Sequence, residues 1–175
     1  MPESQQPMEG VKIVYDKIME DININVLDIG AGEGKWGKFL KGKVNLIHGV
    51  EVWSPYIYKY GLRNLYDKLF NMNMKDFPFG KQKYDVMILG DVLEHLEFNE
   101  AVKFINDAKQ FIDRIYLIIP TSLCVQDGAY WGNPYESHLY QWTDQELKDL
   151  FQFELLHEGY NPNGLVKIGT YVWKK

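Results

Sequence analysis

The apolar run Ile24-Asn25-Val26-Leu27-Asp28-Ile29 passes without a break into Gly30-Ala31-Gly32-Glu33-Gly34. A short buried strand that empties into glycine after glycine can only be followed by a tight turn. Glycine takes up left-handed backbone freely and lets main chain approach another group closely. In open α/β sheets the carboxyl end of a strand is where ligands bind. One stretch of chain therefore predicts a strand, the turn after it and the place of a site. A bare strand-to-helix turn with no ligand is the plainer alternative.

The remaining pattern alternates strand and helix. Val11, Val14, Tyr15, Ile18 and Met19 recur at helical spacing and predict a helix over 8–20. After the glycine turn a helix is expected from Lys35 to Lys41, then a strand from Val44 to Val50. Ser54 and Pro55 read as N-cap and first helical residue of a helix reaching Asp67. A short strand near 69–72 follows, and Tyr84 to Leu89 is apolar enough for a strand covered on both faces. Residues 98–111 predict a helix, and Arg114 to Ile119 a strand stopped by Pro120. Residues 121–142 show no period and predict a long loop facing a substrate. Thr143-x-x-Glu146 is a capping box opening a helix to Leu150. Strands at 152–158 and 165–173, joined by Gly159 to Gly164, read as a hairpin. Together these elements predict a three-layer α/β/α sandwich: a mostly parallel seven-stranded sheet with a C-terminal antiparallel hairpin.

A chain of 175 residues suits one domain over 1–175, with 1–7 as a flexible tail. No apolar run approaches the roughly 20 residues that span a bilayer, and the amino terminus lacks the basic and apolar regions of a secretion signal. Cys124 is the only cysteine, so the cytoplasm is the expected compartment. The net charge of −5 argues against a nucleic-acid partner. Lys35, Lys38, Lys41 and Lys43 read as the solvated face of one helix.

Two cofactors compete for the turn. Gly32-x-Gly34-x-x-Gly37, with Glu51 further on, formally fits a dinucleotide fingerprint, which would make the chain an NAD-dependent oxidoreductase. A pyrophosphate, however, wants unopposed N–H groups at the turn. Asp28 instead favours a cationic amino group such as that of a methionine moiety. At this point the run from Val26 to Gly34 resembles the first motif of class I (Rossmann-like) S-adenosylmethionine-dependent methyltransferases, and similarity extends over residues 24 to about 120. The resemblance implies that Glu51, in Gly49-Val50-Glu51-Val52, accepts hydrogen bonds from both ribose hydroxyls. It implies that Asp76 and Phe77 sit beside adenine, and that Gly90-Asp91-Val92-Leu93-Glu94-His95-Leu96 closes over the cofactor and faces the acceptor. The expected cofactor set is Asp28, Gly30, Ala31, Gly32, Glu51, Val52, Asp76, Phe77 and Gly90.

Methyl transfer from a sulfonium needs a positioned acceptor and, for an acceptor of high pKa, a base. His138 is the expected base, with Asp91, Glu94 and His95 near the acceptor. The aromatics Tyr130, Trp131, Tyr135, Tyr140 and Trp142 are expected to line its pocket. Asp91-x-x-Glu94-His95 with His138 also resembles the metal cluster of small-RNA 3′-end methyltransferases. It departs from that cluster at Asp91, where they carry Glu, and the negative charge does not suit RNA, so no metal is expected. The expected reaction moves a methyl group to an O or N atom of a polar small molecule or glycan. The alternative is a cofactor-binding module completed by a companion subunit, or by a second copy in a homodimer, because no cap domain is evident.

Overall fold

The computed structural model describes residues 8–126 and 132–175. Its elements in chain order are α1 (Met8–Met19), β1 (Asn25–Ile29), α2 (Lys35–Leu40), β2 (Leu46–Glu51), α3 (Ser54–Lys59), β3 (Lys68–Asn71) and β4 (Tyr84–Gly90). Then come α4 (Phe98–Phe111), β5 (Ile112–Pro120), α5 (Asp144–Phe151), β6 (Glu154–Tyr160) and β7 (Lys167–Lys174). The seven-stranded sheet has the order β3-β2-β1-β4-β5-β7-β6. β1 to β5 pair in parallel, whereas β7 runs antiparallel to both β5 and β6. The expected sandwich and its closing hairpin are both present.

Side-chain parity builds the two layers. On β4, Val86 and Ile88 join a core with Val26, Ile118 and the buried faces of α1 and α2. Met87 and Leu89 point the other way, into a core with Leu27, Leu117, α4 and α5. The period of two along each strand thus puts helices on opposite faces of the sheet. β1 pairs with β2 on one side and β4 on the other. The chain leaves β1 outward to β2 and β3 and then returns to β4, so strand order reverses between β1 and β4. The crevice beyond their carboxyl ends is the ligand position that such a reversal creates.

Three local expectations change. The helix opening at Ser54 stops at Lys59, because Gly61 turns left-handed (φ 62°) and a 3₁₀ turn at Leu62–Asn64 follows. Trp53, not Ser54, is the N-cap; the Ser54 hydroxyl donates instead to Asn71 Oδ1 at 2.8 Å. Pro120 ends β5 from inside it, paired with Ile168. The expected tail at 1–7 lies outside the described residues.

The capping box at α5 forms as read. Thr143 Oγ1 accepts from the Glu146 N–H, and Glu146 Oε2 accepts from the Thr143 N–H at 2.9 Å. α5 carries Leu147 and Phe151 into the core. Thr143→Ala is expected to lower the unfolding free energy by about 1 kcal/mol in a urea titration. An unchanged midpoint would mean that the helix is held by its buried face alone.

Candidate active site

The floor of the site is the turn after β1. Gly30, Gly32 and Gly34 all have positive φ (72°, 52° and 76°). A Cβ on Gly30 would meet Val92 Cγ2 at 2.3 Å, so the segment after β4 packs directly over this glycine. The N–H groups of Gly30 and Ala31 both donate to the Val50 carbonyl at 2.9 Å, which bends the turn toward β2.

Asp28 is placed differently from the expectation. It is 2% exposed and, sharing the face of β1 that carries Val26, it points under α2. The Tyr66 hydroxyl donates to its Oδ2 at 2.6 Å, and the Gly37 N–H donates weakly to the same hydroxyl oxygen at 3.4 Å. Asp28 is not among the residues around the cavity. It anchors the turn and α2 from behind. Burial pushes its pKa up to about 7 against the opposing pull of the Tyr66 bond.

A cavity of about 630 Å³ opens above the turn, within the range of small-ligand sites. Gly30, Ala31, Gly32, Glu51, Val52 and Gly90, all expected at the cofactor, line it. Glu51 is 5% exposed; its two oxygens accept from the Gly32 N–H (2.8 Å) and the Trp53 N–H (2.7 Å). Burial raises its pKa, the bonds from Trp53 and Gly32 lower it, and Glu136 raises it further. Lys35 also lines the cavity; burial lowers its pKa while Asp91, Asp28 and Glu33 hold it up. It is therefore part of the site and not of a solvated helix face.

The expected adenine pair is not at the cavity. Asp76 is exposed, and Phe77 is 7% exposed in the core against Phe70, Phe79 and Tyr84. Asn73 and Met74 line the cavity in their place, on the 3₁₀ turn that Asn73 caps by accepting from the Lys75 N–H at 3.0 Å.

The opposite wall brings together the expected catalytic residues. Asp91 follows β4 in left-handed backbone (φ 53°), a strained conformation for a non-glycine residue. Glu94 is 2% exposed, and neither of its carboxylate oxygens meets a hydrogen-bond partner. Burial raises its pKa to about 8 against the nearby N–H groups of Glu94 itself and Val92, with Glu136 raising it further. The His95 and His138 rings meet edge-on at 5.1 Å between centroids. His95 Nδ1 lies 2.9 Å from the Ser137 carbonyl, and His138 Nδ1 lies 2.6 Å from the Cys124 carbonyl. A carbonyl only accepts, so each Nδ1 carries a proton, and in the neutral ring the lone pair stands on Nε2. Burial lowers the His138 pKa, the Cys124 bond opposes this, and His95 lowers it again. One ligand atom from each of Glu94, His95 and His138 lies within 4.8 Å of the other two. Asp91 is not in that group.

Residues 132–142 fold over this wall, with Gln126 beside them. The Glu94 carbonyl accepts from the N–H groups of Leu139 (2.8 Å) and Tyr140 (3.2 Å). Gln126 Nε2 donates to the Glu136 carbonyl at 2.8 Å, and buried Asn133 donates to Glu136 Oε1 at 3.1 Å. Gln126, Asn133, Tyr135, Glu136 and His138 all line the cavity. Tyr135 also stands 6.3 Å from the Trp53 ring. Two other aromatics leave the expected pocket: Trp142 is fully buried, and Tyr140 packs on Phe98 and Trp142. Tyr130 and Trp131 lie outside the described residues. Lys35, Tyr56, Asn73, Asn133 and Glu136 also border the cavity, and residue type alone does not single them out. The polar cluster Asn133-Pro134-Tyr135-Glu136 was the one available signal for the last two.

A pH dependence follows from Asp28. Its folded pKa of about 7 stands above the 3.8 of an ordinary aspartate, so between these values the folded state holds a proton that the unfolded state has released. Its contribution to stability is full below pH 3.8 and falls as pH rises toward 7. The ligand-free protein should lose stability from pH 5 to 8, and Asp28→Asn, which can still accept from Tyr66, should lose less. Equal pH slopes in urea titrations would show that Asp28 is ionised in the folded state.

A methyltransferase domain family model matches residues 26–113, half of the chain. A search of curated proteins found no match. Among solved structures the chain is similar to the YcgJ protein of Bacillus subtilis, at 14% identity and TM-score 0.71 over 97% of this chain and 99% of that one. It is also similar to the N-terminal domain of EvdMO1 with SAH bound, at 18% identity and TM-score 0.70 over 98% and 82%. A third is the 1,6-didemethyltoxoflavin-N1-methyltransferase of Burkholderia thailandensis, at 16% identity and TM-score 0.68 over 95% and 76%. Such identities speak for the fold alone, whereas the family match is to the sequence itself: the chain belongs to the methyltransferase domain family.

Proposed function

We propose that the chain transfers a methyl group from S-adenosylmethionine to an O or N atom of a polar small molecule or glycan. Glu51 carries the reading. Its carboxylate stands at the end of β2, oriented by two main-chain N–H groups and bordering the cavity. Each oxygen keeps lone pairs for one hydroxyl of a ribose diol. Adenine then lies beside Asn73 and Met74, and the methionine part runs along Ala31 to Glu33, with the Lys35 ammonium for its carboxylate. The methyl group faces Gly90, Asp91 and the Glu94–His95–His138 wall. The His138 Nε2 lone pair is placed to take the acceptor's proton, and Tyr135 and Glu136 hold the acceptor.

Two neighbours support the acceptor class: one was solved with bound 1,6-didemethyltoxoflavin and S-adenosylhomocysteine, the other in the presence of SAH and D-fucose. No helix among the described residues is long and apolar enough to cross a membrane. We place the protein in the cytoplasm, where Cys124 stays a thiol. A second copy or a companion subunit would meet the acceptor side at its exposed Tyr135 and Leu139.

Calorimetric titration with S-adenosylmethionine, S-adenosylhomocysteine and NAD tests the cofactor. The first two should bind and NAD should not; binding of NAD alone would overturn the reading. Glu51→Gln should weaken S-adenosylhomocysteine about tenfold or more, since hydrogen bonds to a charged group are worth roughly 1.5–3 kcal/mol. His138→Gln should leave that affinity intact and lower methyl incorporation from labelled cofactor into a small-molecule or glycan fraction by about 100-fold or more.

A further inference from the structure

We propose that the methyl acceptor is a primary amine, bound as its ammonium ion between Glu94 and Glu136. The inference rests on the methyl-transfer reading and narrows it from an O or N atom to nitrogen.

The charges that border the cavity divide unevenly. Its lysines among the described residues are Lys35 and Lys75. Lys75 forms an ion pair with Glu100 at 2.7 Å, and the carboxylates of Asp91, Asp28 and Glu33 stand around Lys35. Glu94 and Glu136 form no ion pair among the described residues. Neutral donors hold Glu136 instead: Asn133 Nδ2 donates to its Oε1 at 3.1 Å, and Gln126 Nε2 donates to its Oε2 at 3.3 Å. Those bonds fix the carboxylate in place without cancelling its charge.

Glu94 points to a cation independently. It is 2% exposed, neither of its oxygens meets a hydrogen-bond partner, and it borders the same cavity. One oxygen lies within 4.8 Å of a ring nitrogen of both His95 and His138, so the carboxyl faces the wall that carries the base. A buried carboxyl without partners is costly unless a proton or a cation joins it. Burial holds its pKa up to about 8, so the ligand-free chain keeps the proton at neutral pH, and an arriving ammonium displaces it.

The acceptors on this wall match the donors of an ammonium group. A primary ammonium has three N–H groups and no lone pair. Glu94, Glu136 and the His138 Nε2 lone pair offer one acceptor to each, whereas an alcohol, with one hydrogen, leaves two of them without a donor. Tyr56 and Tyr135 border the cavity as well, and aromatic faces attract organic cations. The bound ammonium gives one proton to His138 Nε2. The freed nitrogen lone pair forms the new N–C bond as the C–S bond breaks. The sulfur keeps that electron pair as a neutral thioether, and the product leaves as a methylated ammonium ion.

The test titrates the whole chain calorimetrically, with and without S-adenosylhomocysteine, using amines and their uncharged counterparts as probes. The pairs are putrescine against 1,4-butanediol, and glucosamine against glucose and N-acetylglucosamine. At least one amine should bind tenfold or more tightly than its counterpart, and labelled S-adenosylmethionine should convert it to an N-methyl product. Glu94→Gln and Glu136→Gln should each weaken that amine about tenfold or more, since each removes a charged hydrogen-bond acceptor. Circular dichroism and an S-adenosylhomocysteine affinity held within about twofold control for folding in both variants. Amines that bind no better than their counterparts, or whose binding both variants leave unchanged, overturn the proposal. Amine binding by a protein that binds no S-adenosylhomocysteine would instead sink the methyl-transfer reading and leave the cation site standing.

Discussion

Everything at the site depends on how the turn after β1 is held. From behind, the Asp28 carboxylate takes the Tyr66 hydroxyl at 2.6 Å. From the side, the Val50 carbonyl takes two N–H groups, and from the front Glu51 takes the Gly32 N–H. Three left-handed glycines give the turn its path, but glycine supplies freedom and not a fixed shape. The shape comes from the Glu51 carboxylate and the Val50 carbonyl closing on main-chain donors of the turn, with the Asp28–Tyr66 bond bracing it from behind. Val92, packed against Gly30, ties the turn to the segment after β4 and so joins the two walls of the cavity.

The arrangement is electrostatically one-sided. Glu51, Glu94, Glu136 and Asp91 border one cavity, with Lys35 as a cation among them. Burial raises the pKa of both Glu51 and Glu94, and the charge of Glu136 adds to the rise. A protein optimised only for stability would not collect carboxylates this way. A site that receives a sulfonium with an ammonium group has reason to, because the ligand brings the missing positive charge.

The fold was legible because it rests on periodicity: strand parity, the glycine turn and the Thr143–Glu146 box all act within a few residues of chain. Glu51 was legible for the same reason, since the end of β2 fixes where it stands. The expected residues that lie away from the cavity share a different cause. Asp76 and Phe77 were chosen for their residue types, but the 3₁₀ turn at Met74–Asp76 carries the chain away and leaves Asn73 at the cavity. Trp142 and Tyr140 sit in an aperiodic loop, and nothing in the spacing shows that Trp142 plugs the core above Phe151. Asp28 was assigned by charge, whereas the parity of β1 sends it under α2 toward a tyrosine 38 residues away. His95 and His138 were named separately. Only the folded loop, with the Glu94 carbonyl holding Leu139 and Tyr140, shows that they belong to one group.

The most direct measurement is a crystal structure of the chain with S-adenosylhomocysteine. The account predicts ribose hydroxyls on the Glu51 carboxylate, adenine beside Asn73 and Met74, and the sulfur facing Glu94, His95 and His138. A ligand whose ribose lies away from Glu51, or whose sulfur points away from that wall, would contradict it.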